Sequence, residues 1–326
     1  MRHLYNRQAC AVVVGLALLA VMPAVSQTKG MPRTPDGHPD LQGIWTNATI
    51  TPMERPPAFA GKSTVSDAEA SKFEQQSNGQ LYGDQRSSNA EADRDHAYNA
   101  LFFDRGTELA RVDGQKRTSL IVDPPDGKIP PLTDEGKKRL ASRMRGMTHF
   151  DRPQDRPLGE RCLMGFGSTS GPPMLPVLYN NNYQIVQTPD AIMILVEMVH
   201  DVRIVHMDGR PHAPADVRQW LGDSIGHWEG DTLVVDTTNF TAKTGFRGSG
   251  ENLHTIERFT RVDPNTILYK VTIDDPTTFS KNWTMEYPFL ATAGPIYEYA
   301  CHEGNYAMTD ILGGARKADK EAGASK

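Results

Sequence analysis

Two runs near the C-terminal end constrain the fold more than any other feature. Ile267, Tyr269, Val271 and Ile273 alternate with Leu268, Lys270 and Thr272. Trp283, Met285, Tyr287 and Phe289 alternate with Thr284 and Glu286. Side chains in a strand point to opposite faces in turn, so this pattern means one buried face and one wet face. The wet face is either the outside of the sheet or the lining of a ligand-holding barrel. Further short strand-like segments lie at 183–188, 191–198, 202–206, 233–236, 253–261 and 296–301. Pro189-Asp190, Glu229-Gly230-Asp231 and Asp263-Pro264-Asn265 separate them, and Asp208-Gly209 is a hairpin signal. No helical pattern intervenes. The expected fold class is therefore mainly β, an antiparallel barrel or sandwich core over 181–312.

The preceding part, 27–180, is rich in loops and partly helical, and is expected to pack on that core. One strand-like island stands at 41–45. Ser66 and Glu69 have the spacing of a capping box. Thr133 is placed to cap a helix with Asp134 and Glu135 first and Arg139 to Arg145 last, the order that suits the helix dipole. The Gly-, Ala-, Lys- and Glu-rich tail, 313–326, is expected to be flexible. No repeat and no sharp change of composition divides 27–312 into separate domains.

The N-terminus sets the compartment. Arg2 and Arg7 precede an uncharged run from Ala9 to Met22, then Pro23 and Ala24-Val25-Ser26. This is the layout of a signal peptide over 1–26, and the run is short for a membrane span. The expected location is periplasmic or secreted, with no stable membrane anchor after cleavage. Loss of two arginines and no acid takes the net charge from −5 to −7. Mild acidity disfavours nucleic acid as a partner and leaves a small-molecule substrate or ligand. Of three cysteines, Cys162 and Cys301 remain. In an oxidising compartment they can close a disulfide, or they stay as two buried thiols.

Nucleotide-binding Gly-rich loops, His-Glu-x-x-His, Gly-x-Ser-x-Gly and Cys-x-x-Cys-His are all missing. What stands out is histidine. Six of the nine that follow the leader lie between His200 and His302. On the strand 253–261, Glu257 falls on the apolar side with Phe259, while His254 and Arg258 fall on the other. A Glu there is either half of an ion pair with an inward Arg or a carboxyl suited to proton transfer. His302 and Glu303 directly follow Cys301, so a disulfide would fix their backbone. The expected proton-transfer groups are His254, Glu257, His302 and Glu303. His227, Trp228, Arg258, Tyr299 and Tyr306 are the expected substrate-binding groups. No cofactor is predicted, but a divalent metal on His212, His227, His254, His302 and Asp236 stays open, assembled by the fold rather than by local spacing. Gly245 to Gly250 reads as a lid or as a slack connection.

Several motifs together resemble a large group of secreted bacterial proteins of uncharacterised function. They are Leu41-Gln42-Gly43-Ile44-Trp45, the run from Gly226 to Thr237, Glu257-Arg258-Phe259, Ile273-Asp274-Asp275-Pro276 and the run from Tyr297 to Tyr306. The resemblance implies export and carries no catalytic assignment. More broadly, Gly43-Ile44-Trp45 resembles the opening strand of lipocalin-like barrels. That architecture hosts carriers as well as lyases and hydratases. The expected function is an exported enzyme acting on a small polar or aromatic molecule, sugar-derived compounds included. It would use general acid–base elimination, hydration or hydrolysis. The alternatives are a non-catalytic ligand-binding protein and a structural envelope protein.

Overall fold

The computed structural model describes residues 30–82, 89, 103–165, 171–244 and 246–324. The leader expected over 1–26 lies outside them. Strand β1 (Gly43–Thr46) comes first. A small sheet follows, of β2 (Thr64–Val65), β3 (Arg111–Val112) and β4 (Gln115–Arg117). Between β2 and β3 lies helix α1 (Asp67–Tyr82), opened by the expected box: Ser66 N–H and Oγ donate to Glu69. Strand β5 (Ile121–Asp123) leads to helix α2 (Asp134–Gly146). The Thr133 hydroxyl accepts from the Gly136 N–H at 3.0 Å and caps α2.

The remaining strands are β6 (Asn182–Gln187), β7 (Ala191–Val196), β8 (Val202–His206) and β9 (Asp223–Glu229). Then come β10 (Thr232–Thr238), β11 (His254–Asp263), β12 (Thr266–Asp274) and β13 (Trp283–Ala291). They pair in chain order, and β1 bonds β6 on one side and β13 on the other. Nine strands thus close into a barrel that fits a lipocalin-like β fold. Closure excludes the sandwich. Gly43 opens β1 with φ +131°, a backbone that side-chain-bearing residues rarely adopt. Trp45 turns inward, its indole N–H donates to Leu41 O at 2.9 Å, and the Arg261 guanidinium lies 5.3 Å over its ring.

The sheet is mixed rather than wholly antiparallel, because β8 and β9 run parallel. The chain does turn at Asp208-Gly209, where Asp208 accepts from the Arg210 N–H. No returning strand follows, since Pro211 and Pro214 cannot donate to a ladder. Residues 207–222 instead cross over and deliver β9 in the same direction as β8, which a parallel pair requires. Strand β9 had little signature of its own: Gly226 breaks the pattern. A Cβ there would come within 2.6 Å of Met207 Sδ, so the position is small because the crossover packs on it.

Two other expectations are corrected. Residues 296–301 form no strand. Pro295 interrupts the ladder, and the Tyr297 N–H goes to the Glu197 carboxylate. Residues 313–324 of the expected tail are helical rather than irregular, as the outer part of α3 (Ala307–Ala324), with Leu312 buried just ahead of them and an exposed Lys317–Glu321 pair one turn apart.

The alternation of β11, β12 and β13 holds, with the wet face outside. Inside, Trp45, Tyr183, Phe259, Tyr269, Tyr287 and Phe289 are buried. The segment Gly171–Leu175 fills the rest. Met174 is fully buried, its carbonyl accepts from Tyr287 Oη at 2.7 Å and from Asn47 Nδ2 at 2.8 Å, and its N–H donates to Tyr269 Oη. Burial pushes the Tyr269 and Tyr287 phenols well up, so both stay protonated donors. The interior is a packed core. Among the described residues, no helix is long and apolar enough to cross a membrane.

Candidate functional site

The sequence-predicted site residues do not converge. Glu257 lies inside the barrel, fully buried, and its carboxylate accepts both Arg203 Nη2 at 2.6 Å and Nη1 at 3.1 Å. Tyr269 Oη also donates to it, at 2.8 Å. Desolvation would lower the Arg203 pKa, but the charge and hydrogen bonds of Glu257 leave it raised. Glu257 is thus the ion-pair alternative and reaches no solvent. It is removed from the proton-transfer set.

His254 and Arg258 project from the opposite face of the same strand, as expected, yet they do not act as a pair. Arg258 bonds Glu229 at 2.8 Å, and Glu229 also accepts from His227, which is 60 % exposed. Trp228 stacks on His38 at 4.6 Å. Tyr299 stacks on Tyr179 at 6.5 Å. His302, Glu303 and Tyr306 sit exposed in the loop before α3. The disulfide does form: Cys162 and Cys301 have Cα atoms 5.6 Å apart. Among the described residues, no hydrogen bond or ion pair joins His302 to His254 or Glu257.

One cluster is tight. Asp236 on β10 holds His254 Nε2 and His212 Nε2, each at 3.0 Å. His212 Nδ1 reaches Asp223 at 2.9 Å, and His254 Nδ1 lies 3.5 Å from Asp274. The bond to Asp236 raises the His254 pKa against the opposing effect of partial burial, with Asp274 adding to the rise. Half-burial pushes Asp236 up, but the two imidazoles outweigh it and hold the carboxyl low. This cluster ties the 207–222 crossover to the sheet. Among the described residues, no group of three His, Cys, Asp or Glu is placed to hold a metal; of the set left open in the sequence, His212, Asp236 and His254 meet through hydrogen bonds.

A cleft of about 620 Å³ lies elsewhere, between the end of α2, the segment 154–165 and the connection 242–247. Arg143, Arg156, Arg161, Lys243 and Arg247 line it, with Met147, Leu158, Met164 and Phe246 as its apolar part. Each wall has a physical anchor. Arg139 draws the 242–250 connection onto α2, donating to Gly248 O at 3.0 Å and to Thr278 Oγ1 at 2.7 Å. Arg143 Nη2 donates to Ala242 O at 2.9 Å. The disulfide pins 159–164 to the 301–305 loop, and Asn305 Nδ2 donates to Glu160 O. Phe246 stacks on the core residue Trp283 at 5.8 Å.

The sequence candidates included none of these five cations. A local signal existed: residues 137–161 carry eight basic and three acidic side chains in a chain of net charge −5. Arg247 falls in the Gly245–Gly250 stretch expected as a lid or slack connection, of which Gly245 lies outside the described residues. The stretch from Phe246 to Gly250 is neither: Phe246, Gly248, Ser249 and Gly250 are buried. Comparison of the chain with protein-family models, with curated proteins and with solved structures returns no match.

Proposed function

We propose that the protein is an exported, non-catalytic small-ligand-binding protein that uses the cleft beside α2 rather than the barrel interior. The cleft carries this reading. Its volume falls within the few hundred to about 1,000 Å³ of small-molecule sites, and it combines apolar walls with a few polar groups. The barrel interior, by contrast, is occupied by Met174 and by tyrosines bonded to it. The expected acid–base groups are dispersed, and the cleft itself holds no histidine. Export is supported by the leader-like N-terminus and is compatible with the disulfide.

The test is a thermal-shift screen of the processed protein against small molecules of varied charge, beside the variant Gly146→Trp. Gly146 lines the cleft, and a Cβ there meets nothing within 4 Å, so the first atom of a bulky side chain is accommodated where it would narrow the cleft. Binding should raise Tm in the native protein and not in the variant. Ligands that shift both equally, or none at all, overturn the reading.

A second reading, an acid–base enzyme, is favoured by one observation: Asp236 bridging two half-buried imidazoles on the outer face. It requires turnover of some lyase or hydrolase substrate that His254→Gln abolishes while Gly146→Trp leaves it intact.

A further inference from the structure

We infer that the ligand of this cleft is a small organic dianion: a phosphate monoester or a dicarboxylate on a compact apolar body. This rests on the binding reading above and narrows it.

The charge balance of the walls leads there. Arg156 is already neutralised, with Glu160 oxygens at 2.9 Å and 3.0 Å from its guanidinium. Asp155, the acid in the lining, is taken by Arg152. Arg143, Arg161, Lys243 and Arg247 have no carboxylate within ion-pair distance among the described residues. Four uncompensated cations therefore face one cleft on a chain whose net charge is negative. Like charges held together repel, and salt screens the exposed Lys243 and Arg247 more than the partly buried Arg143 and Arg161. A monoanion offsets one of the four, whereas a dianion with several oxygens engages two or more arginines in charge-assisted bonds.

Arg143 gives the sharper indication. Its Nη2 is held by Ala242 O, while its Nη1 is buried and has no hydrogen-bond partner among the described residues. Burial, followed by the nearby Arg139 charge, pushes its guanidinium below the usual arginine value. A buried cationic donor left unmatched is costly, so turning the Arg143 guanidinium out to meet an oxyanion oxygen in the cleft relieves that cost. Met147, Leu158, Met164 and Phe246 add apolar area that an inorganic ion cannot use. The ligand thus needs both a charged end and an apolar body. Nucleic acid fits neither the cleft's size nor the acidity of the whole chain.

The test is titration calorimetry of the processed protein with phenyl phosphate, phenyl sulfate, phthalate, benzoate, benzyl alcohol and inorganic phosphate. At least one of phenyl phosphate and phthalate should bind at least tenfold tighter than benzoate, and phenyl sulfate, a monoanion of the same shape as phenyl phosphate, should bind more weakly than phenyl phosphate. Inorganic phosphate should bind more weakly than phenyl phosphate, and added salt should weaken every anion. Arg143→Met should cost at least tenfold. If that variant unfolds, the exposed Lys243→Gln serves instead, with a loss of severalfold. Benzyl alcohol binding as tightly as the dianions overturns the charge inference and leaves the binding reading standing. Anion binding unaffected in both cation variants also overturns it. If no charged probe binds while neutral ligands give shifts sensitive to Gly146→Trp, the dianion is wrong. If neither occurs, the binding reading fails with it.

Discussion

Glu257 shows how far a single residue can be read in advance. Alternation along β11 places it on the apolar face, and that requires a partner. The partner, Arg203, lies 54 residues earlier on β8 and is invisible until the barrel closes. The same closure converts a catalytic candidate into part of the core. Removing one member of such a pair leaves an uncompensated buried group and typically costs about 3–5 kcal/mol. Glu257→Gln should therefore destabilise by about that much in urea unfolding. The double change Arg203→Met with Glu257→Leu should cost far less, because neither charge is stranded. Equal losses in the two proteins would argue against this account.

His254 makes the opposite case, an outward residue whose role is fixed by neighbours. Its pKa in the folded protein is raised above the ordinary 6.5 by Asp236 and, more weakly, Asp274. A raised histidine contributes stability that is fully present below the unfolded value and is lost as pH climbs through the folded one. The Tm difference between native protein and His254→Gln should thus be widest near about pH 5.5 and shrink toward about pH 9. A difference that does not vary with pH would contradict the ion-pair assignment.

At the scale of elements, local signals were legible wherever the controlling chemistry is local. The box at Ser66 and the cap at Thr133 are both made, since each needs only residues three apart. Thr133→Ala should lower stability by about 1 kcal/mol in thermal unfolding. The seat of α2 is a different matter. Gly136 presses on the Thr278 backbone, where an added Cβ would come within 2.7 Å of the carbonyl oxygen. Gly136→Ala should shift the helix and weaken ligand binding, although it does not line the cleft. Calorimetric Kd together with Tm would check this, and unchanged affinity would show that α2 tolerates the displacement. The parallel β8–β9 pair was illegible for the same reason. Turn chemistry at Asp208-Gly209 is local, but the direction in which the next strand returns is decided by what the crossover packs against.

For the whole molecule, the disulfide joins residues 139 apart in sequence. Closing a loop of that length contributes up to about 4–5 kcal/mol in the chain-entropy model. Replacing both Cys162 and Cys301 by Ser should lower Tm substantially. It should also loosen the wall that presents Arg161 and Met164, raising Kd for anionic probes. A stability loss with undiminished affinity would separate the staple from the cleft.

By itself, the sequence determined the β class, the alternating faces, the two helix caps and the inward side of Glu257, because periodicity and capping depend on neighbours a few residues away. It left the pairing of two cysteines as one of two alternatives. Only the tertiary structure decided that the sheet closes through β1 and that the barrel swallows its own segment at Met174. Only it gathered Arg143, Arg156, Arg161, Lys243 and Arg247 on one cleft. Those outcomes depend on contacts between residues tens to hundreds of positions apart, and no local spacing encodes which distant charges will meet.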